Sequence, residues 1–290
     1  MKPMKRIAAV AQMALSFRRS LCGGLRLALI AWHIVRGAYL VGVRFPGLRL
    51  EPRQLHIQRW SSAVLRSLGV TVQFRGRLHG GGQMLVANHV SWLDVIVLLA
   101  LCPQARFVSK AEVQHWPLIG RLAAGARTIF VERDRPRQTF AAVDALAAAL
   151  SAGETVIVFP EGTTTAGHAV LPFRATLLQA ALLASAPVRP VALRYAEAGH
   201  DVSPSTPYIG DDTLLGSLWR TARAPGLVAN VRVLPADGHA MSDRRSLATA
   251  LHAAISAELE PPASSAAPGA RAPQPEAHEH LPGASSPGAA

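Results

Sequence analysis

Hydrophobic and polar positions along the middle of the chain follow two periods in turn. Apolar residues at every second position are typical of strands, and apolar residues at a spacing near 3.6 are typical of helices. The predicted strands are Val70–Phe74, Met84–Ala87, Arg106–Ser109, Thr128–Glu132, Thr155–Phe159, Pro190–Tyr195 and Leu227–Leu234. The predicted helices are Gln54–Leu68, Val95–Leu101, Glu112–Ala124 (interrupted at Pro117), Thr139–Ser151, Ala175–Ala184 and Ser246–Glu258. This alternation predicts an α/β fold in which helices flank a layered sheet.

The two ends of the chain differ from the middle. Leu27–Val43 is apolar except for His33 and Arg36. A spanning helix needs about 20 apolar residues and an arginine near its centre is costly, so the run favours an interfacial helix over a single span. A buried core helix is the alternative. The C-terminal residues are mainly Pro, Ala, Ser and Gly, which predicts disorder. The expected division is a membrane-associating segment (1–48), a central domain (49–260) and a disordered tail (261–290).

Positive charge is concentrated in the N-terminal quarter. The formal net charge is +12, and residues 1–77 hold 14 basic residues and one acid, Glu51. Nucleic-acid binders usually carry basic residues on a folded face with aromatics between them, whereas here they flank an apolar run. We therefore expect an anionic membrane surface as a partner and no nucleic acid. Cys22 and Cys102 are too few for a disulfide framework and fit a reducing compartment, which favours the cytoplasmic face of the cytoplasmic membrane.

One polar run lies between a predicted strand and a predicted helix. Residues 88–94 read Asn-His-Val-Ser-Trp-Leu-Asp, so His89 precedes Asp94 by five positions. In one regular helix these side chains would lie about 140° apart and could not meet. With His89 on the loop and Asp94 in the first helical turn, the carboxylate would hold one ring nitrogen and leave the other to accept a proton. The pattern also fits a capping box, in which Asp94 only binds the amide of Ser91.

A second polar run, Phe-Pro-Glu-Gly-Thr at residues 159–163, comes at the end of another predicted strand. His89, Lys110, Arg133 and Glu161 all fall at or just past the carboxyl ends of predicted strands. Open α/β sheets bind ligands at those ends. Each residue alone could be an ordinary surface or turn residue, but their joint position favours a site.

Four sequence blocks, in order over residues 55–195, closely resemble the glycerolipid acyltransferase family typified by lysophosphatidic acid acyltransferases. The first block is the run from His89 to Asp94, and the third is Phe-Pro-Glu-Gly-Thr. The residues that resemble the second block are Lys110, Trp116-Pro117, Gly120 and Phe-Val-Glu-Arg at 130–133. Val-Arg-Pro-Val-Ala-Leu at 188–193 resembles the fourth.

The resemblance implies transfer of a fatty acyl group from acyl-CoA or acyl-carrier protein, as co-substrate and with no cofactor, to the hydroxyl of a lysolipid. The acceptor it implies first is 1-acylglycerol 3-phosphate, which would give phosphatidic acid. His89 would act as general base and Asp94 would stabilise the imidazolium. The resemblance assigns Glu161, Gly162 and Thr163 to acceptor binding. The cations expected to hold an anionic head group are Arg133, Lys110 and Arg174.

One departure from the family pattern concerns the acceptor. Many family members carry Arg directly after Glu-Gly-Thr, whereas this chain has Thr164. The departure leaves room for another lysolipid, such as a lyso-ornithine-type aminolipid.

Three other functions are less consistent with the sequence. A serine hydrolase would need Gly-x-Ser-x-Gly at a strand–helix turn, which the sequence lacks. A metal hydrolase could use His89 and Asp94, but no third ligand lies at helical spacing, so no metal site is expected. A non-enzymatic basic protein at the membrane periphery would leave the four blocks unexplained.

Overall fold

Seven strands and eight α-helices lie in the part of the chain that a computed structural model describes, residues 2–78, 80–132, 136–235 and 243–260. The strands are β1 (Thr71–Arg75), β2 (Gln83–Ala87), β3 (Arg106–Lys110), β4 (Ile129–Val131), β5 (Thr155–Val158), β6 (Val188–Ala196) and β7 (Val228–Val233). The helices are α1 (Lys2–Tyr39), α2 (Leu50–Leu68), α3 (Leu93–Leu101), α4 (Ile119–Gly125), α5 (Pro136–Ser151), α6 (Gln179–Leu183), α7 (Leu214–Arg223) and α8 (Arg244–Leu259). Every strand predicted from the sequence overlaps one of these strands.

All seven strands belong to one sheet, in the order β1-β7-β6-β2-β5-β3-β4. Neighbours pair in parallel except β6 and β7, which are antiparallel. Parallel neighbours need a long crossover, and the intervening helices provide it. The carboxyl ends of β2 to β6 therefore meet at one edge of the sheet, where the sequence predicted the site.

The central strand β2 shows how the two hydrophobic cores are divided. All five of its residues are buried, and successive side chains point to opposite faces. Met84 and Val86 pack in the core formed with α5, α6 and α8, and Leu85 and Ala87 pack in the core formed with α2 and α3. The fold is thus a sheet between two helical layers, which confirms the predicted α/β class.

Two predicted helices are divided into shorter pieces. The predicted helix Glu112–Ala124 is a 3-10 turn at Ala111–His115 followed by α4. Pro117 lies between the two, at the predicted interruption, because proline lacks a backbone donor and disfavours helix in the residue before it. The predicted helix Ala175–Ala184 is likewise a 3-10 turn at Thr176–Leu178 followed by α6.

Helix α1 packs one face along the domain. Arg26 Nη1 donates to the carbonyl of Ala222 in α7 at 2.9 Å, and the indole N–H of Trp60 in α2 donates to the carbonyl of His33 at 2.7 Å. The approach is close at Gly37, where an added Cβ would lie 2.7 Å from the Trp60 indole nitrogen. The predicted apolar helix at Leu27–Val43 is therefore present, and it is only half buried.

The opposite face of α1 is an exposed apolar stripe. Its members are Met13, Phe17, Leu21, Leu25, Leu29, Trp32, Val35 and Tyr39. Their spacing of three or four residues places them along one side of the helix at about 100° per residue, opposite Gly23, Ile30 and Gly37. By length and composition alone, Ser16–Gly47 is the one helical stretch in the described residues that could cross a membrane.

Helix α7 is the one helix of the described central domain that the spacing analysis does not predict. Thr213 caps its start, because its hydroxyl accepts from the backbone N–H of Gly216 at 3.1 Å. The predicted tail, residues 261–290, lies outside the described residues, and the proposed domain boundaries stay predictions.

Candidate active site

The residues from Asn88 to Asp94 connect β2 to α3. The side-chain amide of Asn88 donates to the carbonyl of Leu193 at 2.9 Å, and its side-chain oxygen accepts from the N–H of Leu193 at 2.8 Å. This two-way bond extends the β2–β6 pairing by one residue. The chain then turns, and α3 begins at Leu93. His89 is therefore on the loop and Asp94 in the first helical turn, as predicted.

Asp94 accepts four hydrogen bonds on one carboxylate. Its Oδ2 accepts from His89 Nδ1 at 2.8 Å and from the backbone N–H groups of Val90 and Ser91 at 2.7 and 2.9 Å. Its Oδ1 accepts from the hydroxyl of Tyr195 at 2.7 Å. The residue is 0% exposed, so these donors replace the water that the carboxylate lost on folding. Because a carboxylate can only accept, Nδ1 of His89 carries the proton and Nε2 is the basic nitrogen.

The capping contact and the predicted contact between Asp94 and the His89 imidazole are both present. The Ser91 amide binds Asp94, and the N–H of Leu93 approaches Ser91 Oγ at 3.4 Å. The same carboxylate therefore supports the start of α3 and holds the imidazole. Asp94 is more than a helix cap.

The loop after β5 fixes His89 from the other side. The imidazole stacks on Phe159, with ring centroids 4.1 Å apart and planes inclined by 15°. Glu161 Oε1 accepts from the backbone N–H of His89 at 2.6 Å, and Oε2 accepts from that of Leu171 at 2.8 Å. Burial raises the pKa of the Glu161 carboxyl, although these two amides act in the opposite direction. Glu161 thus supports the loop that carries His89, and its role in acceptor binding stays a prediction.

The turn at Glu161–Gly162 lies beside His89 and carries an arginine. Gly162 has φ +76°, where any other residue would be strained, and an added Cβ would lie 3.1 Å from Arg174 Nε. The Arg174 side chain therefore lies across Gly162, and its backbone N–H donates to the carbonyl of Pro160 at 2.9 Å. Arg174 and Thr163 are both exposed, so they are accessible to a ligand.

Of the other two predicted cations, the structure describes Lys110 but not Arg133. Lys110 is the last residue of β3 and is exposed. It lies on the same edge of the sheet as His89, two strands from β2. Arg133 lies outside the described residues, so its place at the end of β4 and its role stay predictions.

Thr164, which stands where many family members have Arg, is part of a link between loops. Its hydroxyl donates to the carbonyl of Tyr208. The N–H of Tyr208 donates to the carbonyl of Val90 at 3.1 Å. The N–H of Thr165 donates to the carbonyl of His89 at 2.9 Å. These hydrogen bonds connect the segment before α7, at Tyr208, to the loop that carries His89. Position 164 contributes a structural hydrogen bond and no positive charge.

The arrangement can take a proton from a hydroxyl, and it resembles known proteins in both sequence and fold. A sequence profile described as Acyltransferase matches residues 69–194. The lyso-ornithine lipid O-acyltransferase of Pseudomonas aeruginosa is 36% identical over 232 residues, which cover 80% of this chain and 86% of that protein. The chain belongs to the acyltransferase family. The 1-acyl-sn-glycerol-3-phosphate acyltransferase of Neisseria meningitidis serogroup B is 34% identical over 243 residues, covering 82% of this chain and 91% of that protein.

The fold of this acyltransferase is similar to one solved by crystallography. The 1-acyl-sn-glycerophosphate acyltransferase PlsC of Thermotoga maritima superposes with a TM-score of 0.63 at 20% sequence identity, covering 84% of this chain and 96% of that one. The comparisons confirm the predicted family, the layered α/β fold and the enzyme class of lysolipid O-acyltransferase.

Sequence analysis missed three residues that shape this acyltransferase site. They are Asn88, which fastens β2 to β6, Phe159, which stacks on the imidazole, and Tyr195, which binds Asp94. A signal for Tyr195 exists, because it follows Val191 and Leu193 at period two and so lies on their face of β6. Among the described residues, no cluster of three or more His, Cys, Asp or Glu side chains could hold a metal ion.

Proposed function

We propose that this acyltransferase moves a fatty acyl group from an acyl thioester to the free hydroxyl of 1-acylglycerol 3-phosphate, giving phosphatidic acid. The observation that carries the proposal is the His89–Asp94 pair, in which a fully buried carboxylate binds Nδ1 and makes Nε2 the base. The pair needs no serine or cysteine partner, because a thiol is already a good leaving group.

In the proposed reaction, His89 Nε2 removes the proton of the acceptor hydroxyl as its oxygen attacks the thioester carbonyl. Asp94 stabilises the imidazolium that forms. Collapse of the tetrahedral intermediate leaves the new ester C–O bond and breaks the C–S bond. The imidazolium proton then passes to the departing thiolate, which returns the base to its neutral form. Acyl-CoA and acyl-carrier protein present the same thioester, so either would serve as donor, and the steps use no cofactor.

The acceptor phosphate is proposed to bind at the turn next to the base. The exposed guanidinium of Arg174 lies across Gly162, and a guanidinium binds phosphate through two parallel hydrogen bonds. Backbone N–H groups of such a turn can also donate to an anion. Lys110 at the same sheet edge and Arg133 after β4 would add positive charge, and Thr163 would donate a hydroxyl.

A second acceptor, a lyso-ornithine-type lipid, is favoured by one observation. Thr164 supplies no charge where many family members supply an arginine, and its hydroxyl is bound to Tyr208. A head group with less negative charge than a phosphate monoester would need fewer cations. Two similar proteins, one named for each acceptor, support the choice of these two candidates.

The protein is proposed to act at the cytoplasmic face of the cytoplasmic membrane, with α1 lying in the interface. One face of α1 is occupied by α2 and α7 over Gly23–Gly37, so lipid cannot surround that stretch. The apolar stripe faces away from the domain, and Arg18, Arg19 and Arg36 are exposed near it. Apolar burial together with attraction to anionic lipid is the usual basis of interfacial binding.

The acceptor proposal is tested by a panel of two lysolipids with one acyl donor. Purified protein in mixed micelles is given acyl-CoA and either 1-acylglycerol 3-phosphate or lyso-ornithine lipid, and kcat/KM is measured for each. We expect a higher value with 1-acylglycerol 3-phosphate. A higher value with lyso-ornithine lipid would establish the second candidate. If neither lysolipid supports consumption of the thioester, both candidates are contradicted.

A further inference from the structure

We propose that Tyr195 is a positioning residue for acyl transfer, which controls how strongly Asp94 holds the protonated form of His89. The proposal rests on the proposed function, because it requires His89 to act as the base. Tyr195 belongs to β6 and lies behind Asp94, on the side away from the imidazole. It has no place in the roles that the sequence blocks assign.

Strand β6 holds the catalytic loop at two points. Leu193 binds the side chain of Asn88 in both directions, and Tyr195 donates its hydroxyl to Asp94 at 2.7 Å. Leu193 and Tyr195 are two positions apart in β6. Leu193 binds Asn88, the first residue of the run from Asn88 to Asp94, and Tyr195 binds Asp94, the last. The position of the carboxylate relative to the end of β2 is therefore set by one rigid strand in the middle of the sheet.

The hydrogen bond of Tyr195 acts on the charge of Asp94. The phenol binds Oδ1, and Oδ2 binds His89, so the two donors share one negative charge. A donor on Oδ1 stabilises the carboxylate anion and reduces the charge available to the imidazolium on Oδ2. Tyr195 is 2% exposed, and its burial and the charge of Asp94 raise the pKa of its hydroxyl well above the ordinary value. The hydroxyl therefore stays a donor throughout the range of any practical assay.

Other titratable groups near the pair have to be separated from this effect. The loop after β5 contributes Glu161, whose charge interacts with both His89 and Asp94. Helix α3 contributes Asp94 itself, and α7 presents Ser217, which binds Trp92 and does not titrate in this range. Glu161 reaches the loop through the backbone of His89, so a change at Tyr195 leaves it in place. A difference between wild type and a Tyr195 variant therefore reports on Tyr195.

The test is the pH dependence of kcat/KM for the full chain in mixed micelles, with saturating acyl-CoA and varied lysolipid. For Tyr195→Phe the acidic limb should move to higher pH by about half a unit to one unit, the scale of one hydrogen bond shared between two protonation states. KM for the lysolipid should stay unchanged, because Tyr195 lies behind Asp94. The control is Thr155→Val at the amino end of β5, which removes a buried hydroxyl bound to the carbonyl of Gly81 and should leave the profile unmoved.

Site-specific incorporation of 3-fluorotyrosine at position 195 supplies a variant of opposite sign. Its more acidic phenol is a stronger donor, so the acidic limb should move to lower pH. This variant also decides the matter if Tyr195→Phe does not fold. Superimposable profiles for wild type and the folded Tyr195 variants would overturn the proposal. Superimposable profiles together with an inactive His89→Ala protein would exclude the role of Tyr195 and leave the proposed base intact. An active His89→Ala protein would exclude His89 as the base.

Discussion

Two buried carboxylates hold His89 from opposite sides, Asp94 through the imidazole and Glu161 through the backbone. They differ in what a neutral replacement would do. At Asp94 the lost charge faces the imidazole, which becomes positively charged in the proposed reaction, so the effect should fall on turnover. At Glu161 the carboxylate accepts from two backbone amides, so the effect should fall first on the stability of the loop.

Asp94→Asn should lower kcat by about 10²–10⁴-fold, the range of general acid–base catalysis, because the amide can no longer stabilise the imidazolium. The control is Asp243→Asn at the start of α8. Asp243 accepts from the N–H groups of Arg245 and Ser246, so it is a helix cap outside the site. Steady-state rates of the two variants separate the two roles. Equal small losses in both would mean that Asp94 serves only as a cap.

Glu161→Gln should change how stability depends on pH. The raised pKa of Glu161 means that the folded state binds its proton more readily than the unfolded state, so the contribution of this group is most favourable below its ordinary pKa of 4.5 and is lost as pH rises through the raised value. Glutamine has no such titration. Thermal unfolding between pH 4.5 and 7 should show a destabilisation by the variant that is largest at low pH and shrinks as pH rises. A constant difference would exclude a raised pKa.

Arg174→Ala should raise KM for an anionic lysolipid more than KM for acyl-CoA, because the guanidinium lies across the turn proposed to bind the acceptor head group. Loss of a hydrogen bond to a charged group corresponds to about a tenfold change or more. Arg245→Ala, an exposed arginine on α8, is the matched control and should change neither constant. Equal increases for both substrates would contradict the head-group role.

The sequence predicts a candidate site residue where a polar residue falls at the carboxyl end of a predicted strand. His89, Lys110 and Glu161 were expected at the carboxyl edge of the sheet, and the structure places them there. The period of two along β6 gives the face on which Tyr195 lies but not its partner, because Asp94 is 101 positions away. The backbone partners of Glu161 were equally hidden, since they depend on how two loops meet.

At the scale of elements, α1 shows what a hydropathy pattern leaves open. The apolar run predicted a helix that is interfacial, spanning or buried, and the pattern alone does not separate these states. The structure adds the contacts of one face with Trp60 and Ala222 and the exposure of the other. The polar interruptions His33 and Arg36 then make sense, because His33 binds Ser67 in α2 at 3.0 Å and Arg36 is exposed at the border of the apolar stripe.

Replacing Leu25 and Trp32 together by Glu should release the protein from vesicles of anionic lipid, because both side chains belong to the apolar stripe of α1. The matched control replaces Phe140 and Leu183 by Glu. These are exposed apolar residues of α5 and α6, in the helical layer on the opposite face of the sheet. Vesicle co-sedimentation should show loss of binding for the first pair only. Equal binding by both double variants would place the membrane contact elsewhere.

At the scale of the whole molecule, the fold class follows from local patterns but the order of the strands does not. The spacing of apolar residues, two in strands and about 3.6 in helices, is a property of short stretches of sequence, and it predicted every strand of the sheet. The order β1-β7-β6-β2-β5-β3-β4 and the antiparallel β7 depend on contacts between distant segments. Helix α7 was missed although Leu214, Leu218 and Ala222 lie at helical spacing, and its packing on α1 is another contact between distant segments.

Those distant contacts also assemble the site. Asn88 and Asp94 from the first half meet Leu193 and Tyr195 from β6, and the loop after β5 contacts His89 through Phe159 and Glu161. A resemblance over four sequence blocks implied the same grouping without giving its geometry. The first and third blocks follow the carboxyl ends of β2 and β5, the second includes the carboxyl end of β3, and the fourth runs along β6 as far as Leu193, whose backbone binds Asn88.

The most direct test of the account compares wild-type protein with His89→Ala in thioester consumption, measured with and without a lysolipid acceptor. Wild type should consume acyl-CoA only when the lysolipid is present and should yield the acylated product in equal amount. His89→Ala should lose at least about a hundredfold in turnover, the lower end of what a general base contributes, with thermal unfolding and vesicle binding unchanged. A folded His89→Ala protein that retains more than about a hundredth of wild-type turnover would contradict the central claim that His89 is the base.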